Sequence, residues 1–189
     1  MVNQSDNDSK VKVSFMRDST EKDGHGETIM DYVVSWTLRR AQNVCKNDTG
    51  KENLYQYSRR LLGLLIKKNI KDEDLVVVET WKQEKQIDLW VYINVNGEEH
   101  DVLIEDKYYT NLHDEQLQRY RTYFDSWIAE HRPNSTPHYV VLTCKDEKEE
   151  FLGFGFDVYS WSEMLDAMSD GKKLEESGSD IFDEFWINW

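Results

Sequence analysis

Charged residues end an apolar stretch of the sequence, VLIEDK at 102–107. Buried charges are rare unless they are paired or bind a metal, so this ending indicates either a strand that reaches the surface or a site. For such a triplet taken alone, a surface ion pair is the more common explanation. In a strand, the side chains of Glu105 and Lys107 lie on one face, because side-chain direction alternates with a period of two. A carboxylate and an ammonium on one face are suited to hydrolytic chemistry.

A second carboxylate, Asp88, lies in the alternating segment QIDLWVYIN at 86–94. The turn that follows has Asn96-Gly97 at its tip, and Asn-Gly between alternating segments predicts a β-hairpin. A hairpin places Asp88 near the end of one strand and Glu105 near the end of its neighbour. The two carboxylates are therefore expected to converge.

Two converging carboxylates repel each other unless a hard cation lies between them. Mg²⁺ (or Mn²⁺) suits this position, because Mg²⁺ takes one or two protein carboxylates together with water and phosphate oxygens. Asp88 and Glu105 are therefore the candidate ligands, and the main-chain carbonyl of Asp106 is a candidate third oxygen. Lys107 is placed to orient or help deprotonate an attacking water. This set of residues predicts phosphodiester hydrolysis.

The elements that position these residues follow from the spacing of apolar residues along the chain. Recurrence at three- and four-residue steps predicts helices, and alternating or β-branched runs predict strands. Ser160 and Glu163 have the spacing of a capping box, which opens the last predicted helix. The predicted elements in order are helix 27–41, helix 54–68, strands 75–81, 86–94 and 101–107, helix 112–130, strand 138–144, an extended segment 151–159 and helix 160–168.

The order helix–three strands–helix–strand, with Asp88 in the second strand and Glu105-Asp106-Lys107 in the third, resembles the PD-(D/E)XK nuclease superfamily. The resemblance covers about residues 25–168. It implies an α/β fold with a restriction-endonuclease-like core, in which helices flank a mixed central sheet. It also implies a Mg²⁺-dependent deoxyribonuclease whose metal ligands are Asp88 and Glu105 and whose Lys107 positions the water.

Three further positions bear on this resemblance. Gln116 and Tyr120 look like the QxxxY element of RecB-like members, although a surface Gln beside a core Tyr explains the same spacing. Glu27 matches the place of an additional acidic ligand in many members, although an acidic residue at a helix start is also explained by the helix dipole. The sequence departs from the family pattern where Ile87 replaces the proline and Gln86 stands where an arginine is common.

The charge distribution indicates where a nucleic acid could bind. The chain has a net charge of −14, but residues 36–70 hold eight Lys or Arg against two acidic residues. Basic side chains on helices are candidates for phosphate contacts, and the alternative is an ordinary solvated helical surface. The predicted phosphate-binding residues are Arg39, Arg40, Lys46, Arg59, Arg60, Lys67 and Lys68.

A non-catalytic role is the alternative to a nuclease. A nuclease fold with an acidic surface can bind a protein partner by mimicking the charge of DNA, and the net charge of −14 favours this alternative. The intact set of Asp88, Glu105 and Lys107 disfavours it, because a silent binder does not need these residues.

Segments outside the nuclease-like region carry less information. Residues 1–24 are polar and predict a flexible N-terminal segment. Residues 169–189 predict an acidic linker and an aromatic tail, which either packs on the domain or binds a protein partner or a second copy of the chain. No apolar stretch is long enough to span a bilayer, and Cys45 and Cys144 match no metal-ligand spacing. These features predict a cytoplasmic protein without a membrane partner.

Overall fold

The computed structural model describes residues 26–85, 87–107, 114–146, 148 and 155–188. The predicted flexible segment 1–24 and Gln86 lie outside the described residues. The helices are α1 (Gly26–Arg39), α2 (Glu52–Ile66), α3 (Asp114–His131) and α4 (Trp161–Ser169), with shorter helical turns at Asn43–Cys45, Asp180–Phe182 and Asp183–Ile187. The strands are β1 (Val76–Glu84), β2 (Ile87–Val95), β3 (Glu98–Lys107), β4 (Thr136–Thr143) and β5 (Asp157–Ser160). None of the described helices combines the length and the apolar character that a bilayer crossing needs.

The five strands form one sheet in the order β1-β2-β3-β4-β5. The first three are antiparallel to one another, whereas β4 is parallel to β3 and β5 is parallel to β4. The hairpin between β2 and β3 turns at Asn96 and Gly97, which have φ values of 55° and 92°. Positive φ at both central residues is the conformation that an Asn-Gly turn favours. The predicted α/β class with a mixed sheet flanked by helices is confirmed.

Helices cover both faces of this sheet. On the face we call the α1 face, helices α1, α2 and α4 pack on strand residues such as Leu89, Val91 and Ile104. On the opposite face, which we call the α3 face, helix α3 packs on Trp90 and Leu103. Ile87 differs from the alternation of its strand, because it joins the α3 face and not the face of Leu89. It begins β2 directly after the β1–β2 connection, where Gln83 and Lys85 have positive φ and the regular strand geometry is interrupted.

The C-terminal segment completes the core of the α1 face. The side chains of Phe182, Phe185 and Trp186 are buried there, and the indole N–H of Trp186 donates a hydrogen bond to the Thr37 hydroxyl at 3.1 Å. The chain that leads to them lies against the start of α2. At Gly178, with a φ of 80°, a Cβ atom would meet a main-chain oxygen at 1.7 Å. This close approach requires glycine, because any side chain would overlap the neighbouring backbone.

Candidate active site

The ends of β2 and β3 bring two carboxylates together. Leu89 pairs with Ile104, so the next position of the antiparallel register brings Asp88 to Glu105, and the two carboxyl groups interact through their charges and a side-chain hydrogen bond. The Asp88 carboxylate is half-buried and accepts a hydrogen bond from the main-chain N–H of Asp106 at 3.3 Å. Glu105 is fully buried. The hairpin therefore brings the two carboxylates together at this end of the sheet, as its sequence predicts.

Two neighbours on the α3 face hold the Glu105 carboxylate. The Lys107 ammonium lies 2.7 Å from Glu105 Oε1. The side-chain amide of Gln116, in the first part of α3, donates to the same oxygen at 3.0 Å and contacts the Tyr120 hydroxyl at 2.7 Å. Lys107 and Tyr120 are themselves buried. Four predicted site residues thus lie around the buried carboxyl group of a fifth, Glu105. They are Asp88, Lys107, Gln116 and Tyr120.

The surroundings of Glu105 favour its protonated form. Burial, and next the charge of Asp88, raise the pKa of Glu105 from 4.5 to about 8, although the Lys107 ammonium opposes the shift. Its second oxygen, Oε2, is buried and accepts no hydrogen bond from the described residues. In the cation-free protein burial and the charge of Asp88 therefore favour uptake of a proton by Glu105. Burying an oxygen without a partner is unfavourable, so this atom is suited to a ligand.

Asp31, on α1, is a site residue that the sequence interpretation missed. It is buried, and burial together with the charge of Asp88 raises its pKa from 3.8 to about 7, while a hydrogen bond with the Asp106 side chain opposes the shift. Its position four residues after Glu27 was the available signal, because residues four apart share one face of a helix. Asp31 thus extends the acidic cluster from the α3 face to α1.

Glu27 itself stays untested as a ligand. Its backbone belongs to the first turn of α1, but its side chain lies outside the described residues. Asp106 is buried between Glu105 and Lys107, and its interaction with Asp31 directs its side chain to the α1 face. Only its main-chain carbonyl was proposed as a ligand, and that proposal does not depend on the side-chain direction.

The chemistry of these donors fits a hard divalent cation. Among the described residues, no group of three or more His, Cys, Asp or Glu side chains is arranged so that it could hold a metal ion. Mg²⁺ needs fewer protein ligands than that, because one or two carboxylates suffice and water or phosphate supplies the rest. Asp88 and Glu105 provide two carboxylates with a buried oxygen that lacks a partner among the described residues. The residues present therefore fit such a cation.

The basic residues of the predicted phosphate-binding face lie on or near α1 and α2, which cover the α1 face. The structure corrects the expectation for Arg59, whose side chain is buried and donates to the main-chain oxygens of Ala41, Lys71 and Asp74. An arginine that uses its donors in this way stabilises the fold and does not present them to phosphate. The other six are exposed or half-buried, and a phosphate-binding role for them stays a prediction: Arg39, Arg40, Lys46, Arg60, Lys67 and Lys68.

Several of these six already pair with acidic side chains. Arg40 pairs with Asp48, Lys46 with Asp72, Lys67 with Asp157 and Lys68 with Glu98. Pairs at the surface are weak, so a phosphate can displace the carboxylate at modest cost. Binding of DNA at this surface is therefore expected to depend strongly on salt.

Five of the predicted residues meet at the ends of β2 and β3 and the beginning of α3, and one residue was missed. Family membership would add an independent argument for their roles. No protein-family model, no curated protein sequence and no solved structure matches the chain.

Proposed function

We propose that the protein is a Mg²⁺- or Mn²⁺-dependent nuclease that hydrolyses DNA phosphodiester bonds, with a core of the PD-(D/E)XK type. One observation carries the proposal: the buried Glu105 carboxyl lies opposite Asp88 and is held by Lys107 and Gln116. An ion pair that served only stability would gain little from a second carboxylate beside it, because that carboxylate repels the first. An acidic pair with one adjacent lysine is suited to binding a cation and moving a proton.

Each residue of the site would have a separate role in hydrolysis. Asp88 and Glu105 would hold the cation, with the main-chain carbonyl of Asp106 as an additional oxygen donor, and the charge of Asp31 would add to the negative potential beside them. When bound, the cation neutralises phosphate charge and lowers the pKa of a coordinated water. Lys107, whose ammonium lies 2.7 Å from Glu105, would orient the attacking water by donating a hydrogen bond to its oxygen, and only its neutral amine form could take the proton of that water. Gln116, together with Tyr120, fixes the direction of the Glu105 carboxylate.

An acidic site is compatible with an anionic substrate when a cation lies between them. The net charge of −14 nevertheless supports a second candidate, a catalytically silent protein whose acidic surface binds a protein partner. The two candidates differ in their response to metal. A ligand that binds the folded state stabilises it, so Mg²⁺ or Mn²⁺ raises the unfolding temperature of a nuclease and leaves that of a silent binder unchanged.

Cleavage of linear and circular DNA with Mg²⁺ or Mn²⁺ tests the proposal directly. Asp88→Ala is expected to abolish cleavage and weaken Mn²⁺ binding measured by calorimetry. Lys107→Ala is also expected to abolish cleavage, but with Mn²⁺ binding intact or tighter, because a nearby positive charge has gone. Lys172→Ala serves as a control, since Lys172 is exposed in the segment after α4.

The two variants thus lose activity for different reasons, which a loss of folding cannot imitate. If both variants bind Mn²⁺ and act on DNA as the unmodified protein does, then Glu105-Asp106-Lys107 is a strand end with an ion pair and the proposal is wrong.

A further inference from the structure

An aromatic cleft lies beside the acidic cluster on the α3 face. Its volume is about 220 Å³, which is below the ~300–1,000 Å³ of pockets for drug-sized ligands. Trp81, on β1, is 37% exposed at its rim. The cleft is lined by Trp81, Glu84, Trp90, Tyr123, Trp127 and Arg132.

Hydrogen bonds to a buried carboxylate fix two of the side chains that line this cleft. Asp101 is fully buried and accepts hydrogen bonds from the Trp90 indole N–H at 2.7 Å, from Arg132 at 2.6 Å and from the Ser135 hydroxyl at 2.7 Å. Trp90 also packs edge-on against Trp127, with ring centroids 4.8 Å apart. Since the polar ends of Trp90 and Arg132 are occupied, the cleft offers mainly ring faces to a ligand. A pre-organised surface of this kind loses little freedom on binding.

The charges around the cleft restrict what can occupy it. The Arg132 guanidinium lies 5.4 Å from the Trp81 ring centroid and 5.0 Å from that of Trp127, so a second cation on these rings would be repelled. Glu84, which also lines the cleft, disfavours an anion. A neutral, planar group with hydrogen-bonding edges fits best, because it can stack on the rings while the Glu84 carboxylate accepts a hydrogen bond from its edge. A nucleobase has these properties.

The residues that line the cleft are close in the chain to residues of the acidic cluster. Trp90 follows Asp88 by two residues on β2, a step of about 7 Å along a strand. Tyr123 follows Tyr120 by about one turn of α3, and Glu84 pairs with Ile87, the residue before Asp88. A base in the cleft and the phosphate of an adjacent nucleotide at Asp88 and Glu105 can therefore belong to one strand.

We propose that this cleft binds one unpaired nucleobase of the substrate, so that the enzyme acts on single-stranded DNA. The inference rests on the proposed function, because it assumes that the phosphate of the same strand is bound at the acidic cluster. A base in a duplex is stacked and paired and cannot enter a cleft of this size without leaving the helix. The cleft therefore selects strands whose bases are already unpaired.

Binding by a variant that does not cut tests the inference separately from catalysis. The probe is a labelled oligothymidylate of about ten nucleotides, free or annealed to its complement, measured by fluorescence anisotropy with Mn²⁺ in the Lys107→Ala background. Trp81→Ala is expected to weaken single-strand binding about tenfold, the effect of one lost base–aromatic stack. Trp81→Phe should restore much of the affinity. Val77→Ala is the matched control, because Val77 is exposed on the same strand but does not line the cleft.

Three outcomes would overturn the inference: equal binding with and without the Trp81→Ala substitution, equal binding of the duplex, or quenching of tryptophan fluorescence by a trimethyllysine peptide but not by the oligonucleotide. Cleavage of the same strands with Mn²⁺ separates this inference from the nuclease proposal. If single-strand binding depends on Trp81 but no strand is cut, base binding in the cleft is supported and the nuclease proposal is refuted. If cutting depends on Lys107 and not on Trp81, the nuclease proposal is supported and base binding in the cleft is refuted.

Discussion

Replacing Asp88 with asparagine is expected to stabilise the protein in the absence of a cation. The charge of Asp88 is the second-largest cause, after burial, of the raised pKa of both Glu105 and Asp31. An asparagine side chain keeps an oxygen that can accept the hydrogen bond from the Asp106 N–H, so the change removes charge with little change of shape. The repulsion between carboxylates that a cation would relieve is then absent from the metal-free state.

The size and the pH dependence of the effect follow from the two shifts. A pKa raised in the folded state adds stability at low pH, and this stability is lost as the pH rises through the folded-state value. The windows extend from 4.5 to about 8 for Glu105 and from 3.8 to about 7 for Asp31. Assigning about one pKa unit of each shift to Asp88 gives ~1.4 kcal/mol per neighbour. Asp88→Asn should therefore stabilise by about 1–3 kcal/mol above pH ~8 and by little below pH ~4.

Urea unfolding in EDTA at several pH values measures this difference in the free energy of unfolding. Asp101→Asn is a matched control with the opposite sign. Asp101 is fully buried on β3, and Trp90, Arg132 and Ser135 donate to it, so neutralising it should destabilise by ~2 kcal/mol or more. A loss of stability in Asp88→Asn at high pH, or a gain that does not change with pH, would refute the account of the site as a cluster of repelling carboxylates.

The remaining predictions concern the tail, the basic face and α1. Gly178→Ala should lower the free energy of unfolding in urea by more than about 2 kcal/mol, which is about twice the strain of a positive φ alone. Gly171→Ala is the control and should cost about 1 kcal/mol, because Gly171 has a φ of 70° but open space around it. Equal effects of the two substitutions would contradict the close approach at Gly178. Arg59→Met should destabilise the folded state by about 3 kcal/mol or more, because the main-chain carbonyls of Lys71 and Asp74 lose its guanidinium as a donor. Lys46→Ala is the control and should leave the urea midpoint unchanged. Asp31→Asn should raise the cation-free stability near pH ~8 and weaken Mn²⁺ binding in calorimetry, because a negative charge near Asp88 is lost. Unchanged Mn²⁺ binding would show that the charge of Asp31 does not act on the cation.

The parts of the site that could be predicted are those fixed by local rules. An Asn-Gly turn sets the register of its two strands, and register places Asp88 opposite Glu105. Period two then puts Lys107 beside Glu105, and one helical turn puts Tyr120 beside Gln116. Each of these relations needs only a short stretch of chain and the geometry of one element or hairpin.

The parts that could not be predicted depend on packing between distant segments. Arginine is usually exposed, and only the loop at 71–74 folding back over α2 buries Arg59. Asp31 enters the site because α1 crosses the sheet near the end of β3, and no local pattern specifies that crossing. The role of Arg132 in the aromatic cleft likewise requires Asp101, which lies 31 residues earlier in the chain.

The contact between Trp186 and Thr37 has a consequence for biosynthesis. The two residues are 149 positions apart, so the ribosome must make nearly the whole described chain before the core of the α1 face can close. Until then α1 and α2 expose an apolar groove in the nascent chain, at the stage when aggregation competes most strongly with folding. Closing so long a loop is slow compared with forming the β2–β3 hairpin, so docking of the tail is expected to be the last folding step. The nascent protein is therefore expected to need protection by chaperones in proportion to the time that translation from the end of α2 to Trp186 takes.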